Sequence, residues 1–133
     1  MPYNIWWEVE GHILYASYSG EITSDELLRA MKQMVEEMRV HGGAFVNVIS
    51  DVRNVSRQPS IPEVMTAIRQ IEKSEQMGWT INVGESNAVV RFTTNIAGQY
   101  LGQRMRSFDT PEEAIAFLKE SDPSIDWDLR RPN

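Results

Sequence analysis

Apolar and polar residues alternate from Tyr3 to Val9, with Ile5, Trp7 and Val9 on one side and Asn4, Trp6 and Glu8 on the other. A period of two is that of a β-strand. Glu10-Gly11 suits a tight turn. Alternation then resumes from His12 to Ile22, where Ile13, Tyr15 and Ser17 oppose Leu14, Ala16 and Tyr18. Two strands joined this way predict an antiparallel hairpin. The period next changes: Leu27, Leu28, Met31, Met34, Val35 and Met38 recur every three or four residues, an apolar helical stripe. Thr23-Ser24-Asp25-Glu26 reads as its capping box, and His41-Gly42-Gly43 as its stop.

Phe45 to Val52 reads as a buried strand with neighbours on both sides, followed by a polar loop and then a helix. That helix opens on a second capping box, Ser60-Ile61-Pro62-Glu63. Proline is tolerated there because a first-turn N–H has no helical partner. Its stripe is Ile61, Val64, Met65, Ile68 and Ile71, and Gly78 is the expected stop. Trp79, Ile81 and Val83 form a fourth alternating strand. Residues 88–101 carry two signals: strand propensity in Ala88 to Thr94, and helical spacing of Val89, Phe92, Ile96, Ala97, Tyr100 and Leu101. Helix is the reading adopted. Arg104 to Phe108 is a short fifth strand. Thr110-Pro111-Glu112-Glu113 caps a last helix through Ala114, Ile115, Phe117 and Leu118.

The order predicts one α/β domain over residues 1–120 and a polar tail over 121–133, with Trp127 as an anchor. The expected sheet is mixed and five-stranded, an N-terminal antiparallel hairpin followed by parallel strands, with about four helices as crossovers. Asn47, Thr80 and Asn82 are polar residues on strands, so one sheet face is expected to be less fully covered than in a doubly wound fold.

Composition narrows the function. The chain is 41% hydrophobic and 24% charged, with a net charge of -6. An acidic domain repels phosphate backbones, so nucleic-acid binding is not expected. No apolar run approaches the roughly 20 residues of a membrane-spanning helix, and no secretory signal pattern opens the chain. The absence of cysteine excludes disulfides and thiolate chemistry and fits a cytoplasmic location. His12 and His41 have no partners at metal or relay spacing, so neither a metal nor a cofactor is expected. No glycine-rich phosphate loop or nucleophile elbow occurs, and no catalytic residues are assigned.

The candidate ligand site lies where the strands end. Open α/β sheets bind ligands beyond the C-terminal ends of their strands, and helix N-termini attract anions. Arg53, Arg57 and Ser60 follow the third strand, and Ser86, Asn87 and Arg91 follow the fourth. Together they make a candidate site for a phosphate, a carboxylate or a lipid head group. The competing reading makes the hydroxyls plain helix caps and pairs the arginines with Asp51 and Glu85. Trp6, Trp7 and Tyr18 form a candidate partner surface, because alternation puts the two tryptophans on opposite faces. Shielding of one of them by the Trp127 tail is the alternative.

The pattern from Trp7 to Leu118 resembles the SpoIIAA-like, or STAS-like, family. The resemblance rests on the opening hairpin, on Ile49-Ser50-Asp51-Val52 before a capped helix, and above all on the closing run Met105 to Leu118. It implies sequential strands with helices wound mostly on one side, and likeness to anti-sigma-factor antagonists and, more distantly, to lipid-carrying domains of SEC14 type. In the antagonist branch a phosphorylatable serine opens the helix after the central strand. Ser60 falls near that place, without the family's Ser-Gly flank. The expectation is a non-catalytic regulatory module that binds a protein partner or a second copy of itself as a homodimer. The alternative is a carrier of a small apolar or lipid-like anionic ligand.

Overall fold

Five strands form a single sheet in sequence order, β1-β2-β3-β4-β5. A computed structural model of the chain describes residues 2–71, 74–84 and 104–132. The strands are β1 (Tyr3–Val9), β2 (Ile13–Glu21), β3 (Val46–Arg57), β4 (Met77–Val83) and β5 (Arg104–Phe108). The helices among the described residues are α1 (Ser24–His41), α2 (Ile61–Ile68) and α3 (Pro111–Ser121), followed by a short 3-10 turn at Trp127–Leu129. β1 and β2 are antiparallel, and every later neighbour is parallel. The mixed sheet predicted from the period-two segments is therefore present. The helix expected at 88–101 lies outside the described residues.

Local chemistry sets the helix starts. At α1 the Thr23 side chain accepts from the Glu26 N–H while the Glu26 carboxylate accepts from the Thr23 N–H, and the same reciprocal pair joins Ser60 and Glu63 at α2. Thr110 accepts from the Glu113 N–H at α3. These bonds satisfy donors that have no partner within the helix.

Two apolar layers sandwich the sheet. Leu14, Ala16, Tyr18, Val46 and Val48 pack against Ala30, Met34 and Met38 of α1, with α2 beside α1. On the opposite face Ile13, Tyr15, Ile49, Ile81 and Val83 pack against Ala114, Ile115 and Leu118 of α3, and Ile125 of the tail completes that layer. Two of the three described helices thus share one face, as expected, but the expectation of a less fully covered face is corrected at Asn47 and Asn82, which are buried.

Two boundaries also differ from the sequence reading. β3 runs on through Arg57 where a loop was expected. β2 is long enough to pair with the extension, as in Ser19 with Asn54, Gly20 with Val55 and Glu21 with Arg57, and a register shift between Ser17 and Ser19 inserts one extra residue into β3. That bulge lets Val52 and Val55, three apart, both pack on the α1 layer. Conversely α2 ends at Ile68, and Gly78 lies inside β4 rather than at a helix end.

Asn47 explains the glycine. Between the pairs Val46–Met77 and Val48–Thr80, β3 advances two residues and β4 three. The irregularity frees the Trp79 N–H, which donates to Asn47 Oδ1 at 2.8 Å. Asn47 Nδ2 donates to Asp122 Oδ2 at 2.8 Å, beyond the end of α3. Asn47 is fully buried. A Cβ at Gly78 would stand 2.6 Å from Asn47 Oδ1, closer than nonbonded atoms tolerate, so only glycine leaves room for the amide. Replacing Asn47 by alanine leaves the half-buried Trp79 N–H without its acceptor and removes one of the bonds to Asp122, and the expected loss is about 2 kcal/mol. Gly78→Ala should cost about 1–3 kcal/mol by steric conflict. Urea unfolding checks both, and a loss for Asn47→Ala below roughly 0.5 kcal/mol would show that the network is not a major support.

Candidate functional site

Two features occupy the end of the sheet where the parallel strands finish. The first is a polar cluster on the α3 face. Asp51 stands in β3 opposite Ser17 of β2 and is 4% exposed. The Tyr15 hydroxyl donates to Asp51 Oδ2 at 2.7 Å. The Arg53 guanidinium donates to the same carboxylate through Nε at 3.0 Å and Nη2 at 2.8 Å, and the Arg53 backbone N–H donates at 3.1 Å. Trp6 stacks on Tyr15 with ring centroids 4.6 Å apart. Gly84 closes the cluster at the end of β4: its φ is +81°, and a Cβ there would collide with Arg53 Cγ, so glycine is required for both conformation and space.

Charge compensation decides what this cluster can do. Burial alone pushes the Asp51 pKa up, but the hydrogen bonds from Arg53 and Tyr15 outweigh it and hold the carboxyl below its ordinary range. Burial, then the bond to Asp51, push the Tyr15 hydroxyl upward, and the bond to Asp51 raises Arg53. A general base must be poised near the working pH. A carboxylate locked to an arginine and a phenol made harder to ionise are the reverse of that. The cluster is therefore a clamp that joins β2, β3 and the start of the connection after β4.

The second feature is a groove between α1 and α2, with a volume of about 260 Å³. Leu28, Pro62 and Ala67 supply apolar surface, and Ser24, Asp25, Glu63, Thr66 and Gln70 supply the polar lining. Ser60 is exposed at the adjoining end of α2, and its hydroxyl lies 2.8 Å from Glu63 Oε1. Its exposure follows from its place as N-cap: the cap faces solvent while the helix stripe faces inward.

The residues singled out in the sequence are dispersed. Arg53 is taken by Asp51. Arg57 is exposed, with Nη1 3.9 Å from Glu21 Oε1. Ser60 is the cap of α2. Ser86, Asn87 and Arg91 lie outside the described residues. Trp6 and Trp7 are both half-buried on opposite faces, Trp6 over Tyr15 and Trp7 with its Nε1 donating to Glu37 Oε2 at 3.0 Å. Tyr18, expected at a partner surface, is instead buried in the layer under α1, because the extended β2 carries it beneath the helix. Among the described residues no set of three or more acidic or histidine side chains is placed to hold a metal. The groove had no linear signature, since its walls come from residues 24–28 and 62–70. The two capping boxes marked its ends but not their proximity.

The chain was compared with known proteins. No family model and no curated protein matches it. Among solved structures, the anti-sigma factor antagonist SpoIIAA in its unphosphorylated form superposes with a TM-score of 0.58 and 18% identity, covering 89% of this chain and 96% of that one. An uncharacterized protein of the DUF3478 family from Shewanella loihica PV-4, described as having a SpoIIAA-like fold, superposes with a TM-score of 0.63 and 12% identity, covering 87% and 93%. The chain has a SpoIIAA-like fold. The resemblance read from Trp7 to Leu118 is thus shown at the level of the fold. At these identities the likeness concerns the fold. No described helix is long and apolar enough to cross a membrane.

The clamp has a pH signature. A carboxyl whose folded pKa lies below its unfolded value stabilises the fold at pH above that unfolded value, near 4, and the contribution fades as pH falls through the folded pKa. Asp51→Asn should therefore be less stable than the parent at neutral pH, with the gap narrowing below about pH 4. Urea midpoints measured across that range check this. A gap of constant size would mean that ionisation of Asp51 does not contribute.

Proposed function

We propose that this chain is a non-catalytic regulatory module that binds another protein through the α1–α2 groove and the Ser60 end of α2. The observation that carries the reading is the groove itself: an open, partly apolar depression at an exposed helix start, on a domain whose buried Asp51 and Asn47 are committed to structure. Mixed apolar and polar surface of this kind suits a protein side chain or helix edge better than a small polar substrate. A cytoplasmic setting for the module fits a chain without cysteine. The solved relative named as an anti-sigma factor antagonist lends the fold-level precedent.

Ser60 is the proposed control point. Its hydroxyl accepts from the Glu63 N–H and faces the Glu63 carboxylate. A phosphoryl group there adds nearly two negative charges beside a helix N-terminus, which favours anions, and would drive the Glu63 carboxylate away by like-charge repulsion. Glu63 also lines the groove, so the modification would alter the binding surface directly. The ligand-carrier reading has weaker support, because the Arg53 charge is already matched by Asp51.

Immobilised protein that retains a partner, followed by titration of the purified pair, tests the surface. Thr66→Arg, which places a long charged side chain in the groove, should weaken the complex at least about tenfold, or 1.4 kcal/mol. Ser60→Glu should weaken it and Ser60→Ala should not. A partner that binds Thr66→Arg and Ser60→Glu as tightly as the parent would move the interface elsewhere.

A further inference from the structure

The Glu8–Val9 end of the outer edge of β1 is occupied by the chain's own C-terminal tail. Val9 pairs with Ile13 of β2 on one side and makes an antiparallel bridge with Arg130 on the other. The Arg131 N–H donates to the Glu8 carbonyl at 2.8 Å, and Arg130 Nε donates to Glu8 Oε2 at 3.2 Å. The tail reaches this position by anchoring Ile125 in the α3-side layer. Trp127 then lies beneath two cations, Lys119 at 5.1 Å and Arg130 at 5.9 Å from its ring. Finally the Arg131 guanidinium lies 5.2 Å over the ring of Trp6, which is itself stacked on Tyr15.

This arrangement answers a hazard in the strand. β1 reads Tyr-Asn-Ile-Trp-Trp-Glu-Val, with Glu8 its one charge. An edge strand with strong β-propensity and little charge is a template for pairing with another chain. Among the described residues no backbone hydrogen bond reaches the outer side of Tyr3 to Trp7. The tail contributes what β1 lacks: it takes up one end of the edge and sets Arg130 and Arg131 along it. In an antiparallel pairing of two β1 strands the Glu8 end of each copy meets the Tyr3 end of the other, so each tail, bonded at Glu8 and Val9, stands where the second copy's strand would lie.

We propose that the C-terminal tail is an edge guard, held by Arg130 and Arg131, and that its displacement lets β1 pair antiparallel with β1 of a second copy. The antiparallel arrangement follows from two-fold symmetry, in which the same patch serves both partners. It continues the antiparallel pairing β1 already makes with β2. The proposal is independent of the α1–α2 groove, which lies over the other end of the molecule's α1 face, so its failure leaves the protein-binding reading untouched.

The test uses the full chain with Arg130→Ala and Arg131→Pro together. Proline has no N–H to donate to Glu8, and alanine removes the ion pair, while Ile125 and Trp127 stay in place. Circular dichroism verifies folding. If the variant is unfolded, Glu8→Arg replaces it, with Arg130→Glu added to restore the pair and the guard. Sedimentation velocity over a concentration series should show the parent as a monomer and the variant dimerising at least about tenfold more tightly. Hydrogen–deuterium exchange should rise in residues 126–132 and fall in β1 of the variant dimer. A freed tail on a protein that stays monomeric would overturn the proposal. So would a dimer in which β1 exchange does not slow, a parent that dimerises with its tail in place, or a tail whose exchange the substitutions leave unchanged.

Discussion

The amide of Asn47 joins three parts of the molecule that lie far apart in the sequence. One end accepts from the backbone of β4 and the other donates to the carboxylate of Asp122 past α3. Fully buried polar groups are tolerated only when their hydrogen bonds are made, so the position of each partner is set by the others. The β4 irregularity exists because Trp79 offers its N–H there, Gly78 is glycine because the amide occupies the space of a Cβ, and α3 ends where Asp122 can accept. An apolar residue at Asn47 would fill the site but specify none of these relations.

A second consequence is that α3 is held to the face opposite α1. Parallel strands must be linked by crossovers, and α1 and α2 crowd one face of the sheet. Among the described residues, covering the other face falls to α3 and to the tail that follows it. This explains why the tail is not a loose end. Ile125 belongs to the core, and the chain beyond it continues to the edge of β1. The same stretch that completes a hydrophobic layer is carried to the place where the sheet is most exposed to pairing.

The polar groups divide by burial into structural and available. Tyr15, Asp51 and Arg53 satisfy one another, and the low basicity of the carboxylate is the physical sign that its charge has been spent on holding strands together. Ser60, Thr66 and Gln70 stand at the surface beside the groove, where a partner can reach them without displacing a core bond. The functional reading therefore follows the exposed set rather than the buried one.

The sequence by itself determined the elements. Period-two alternation marked the hairpin and β4, period-3.6 stripes marked α1, α2 and α3, and capping residues at Thr23, Ser60 and Thr110 located their starts, because these signals depend on neighbours a few residues apart. The opening hairpin, Ile49-Ser50-Asp51-Val52 before a capped helix and the closing run from Met105 to Leu118 together suggested the SpoIIAA-like fold. Tertiary structure decided what depends on distant partners. β3 reached Arg57 because β2 was long enough to pair with it, and Gly78 became a strand residue because Asn47 lay opposite. Tyr18 was buried because α1 folded over it, and the Asp51 carboxylate, whose pairing with a nearby arginine the competing sequence reading had offered, gained a second partner in Tyr15, 36 positions away in the chain. The groove and the guarded edge belong to the same class: each is made of segments whose meeting no local pattern encodes, since only the packed layers bring them within reach.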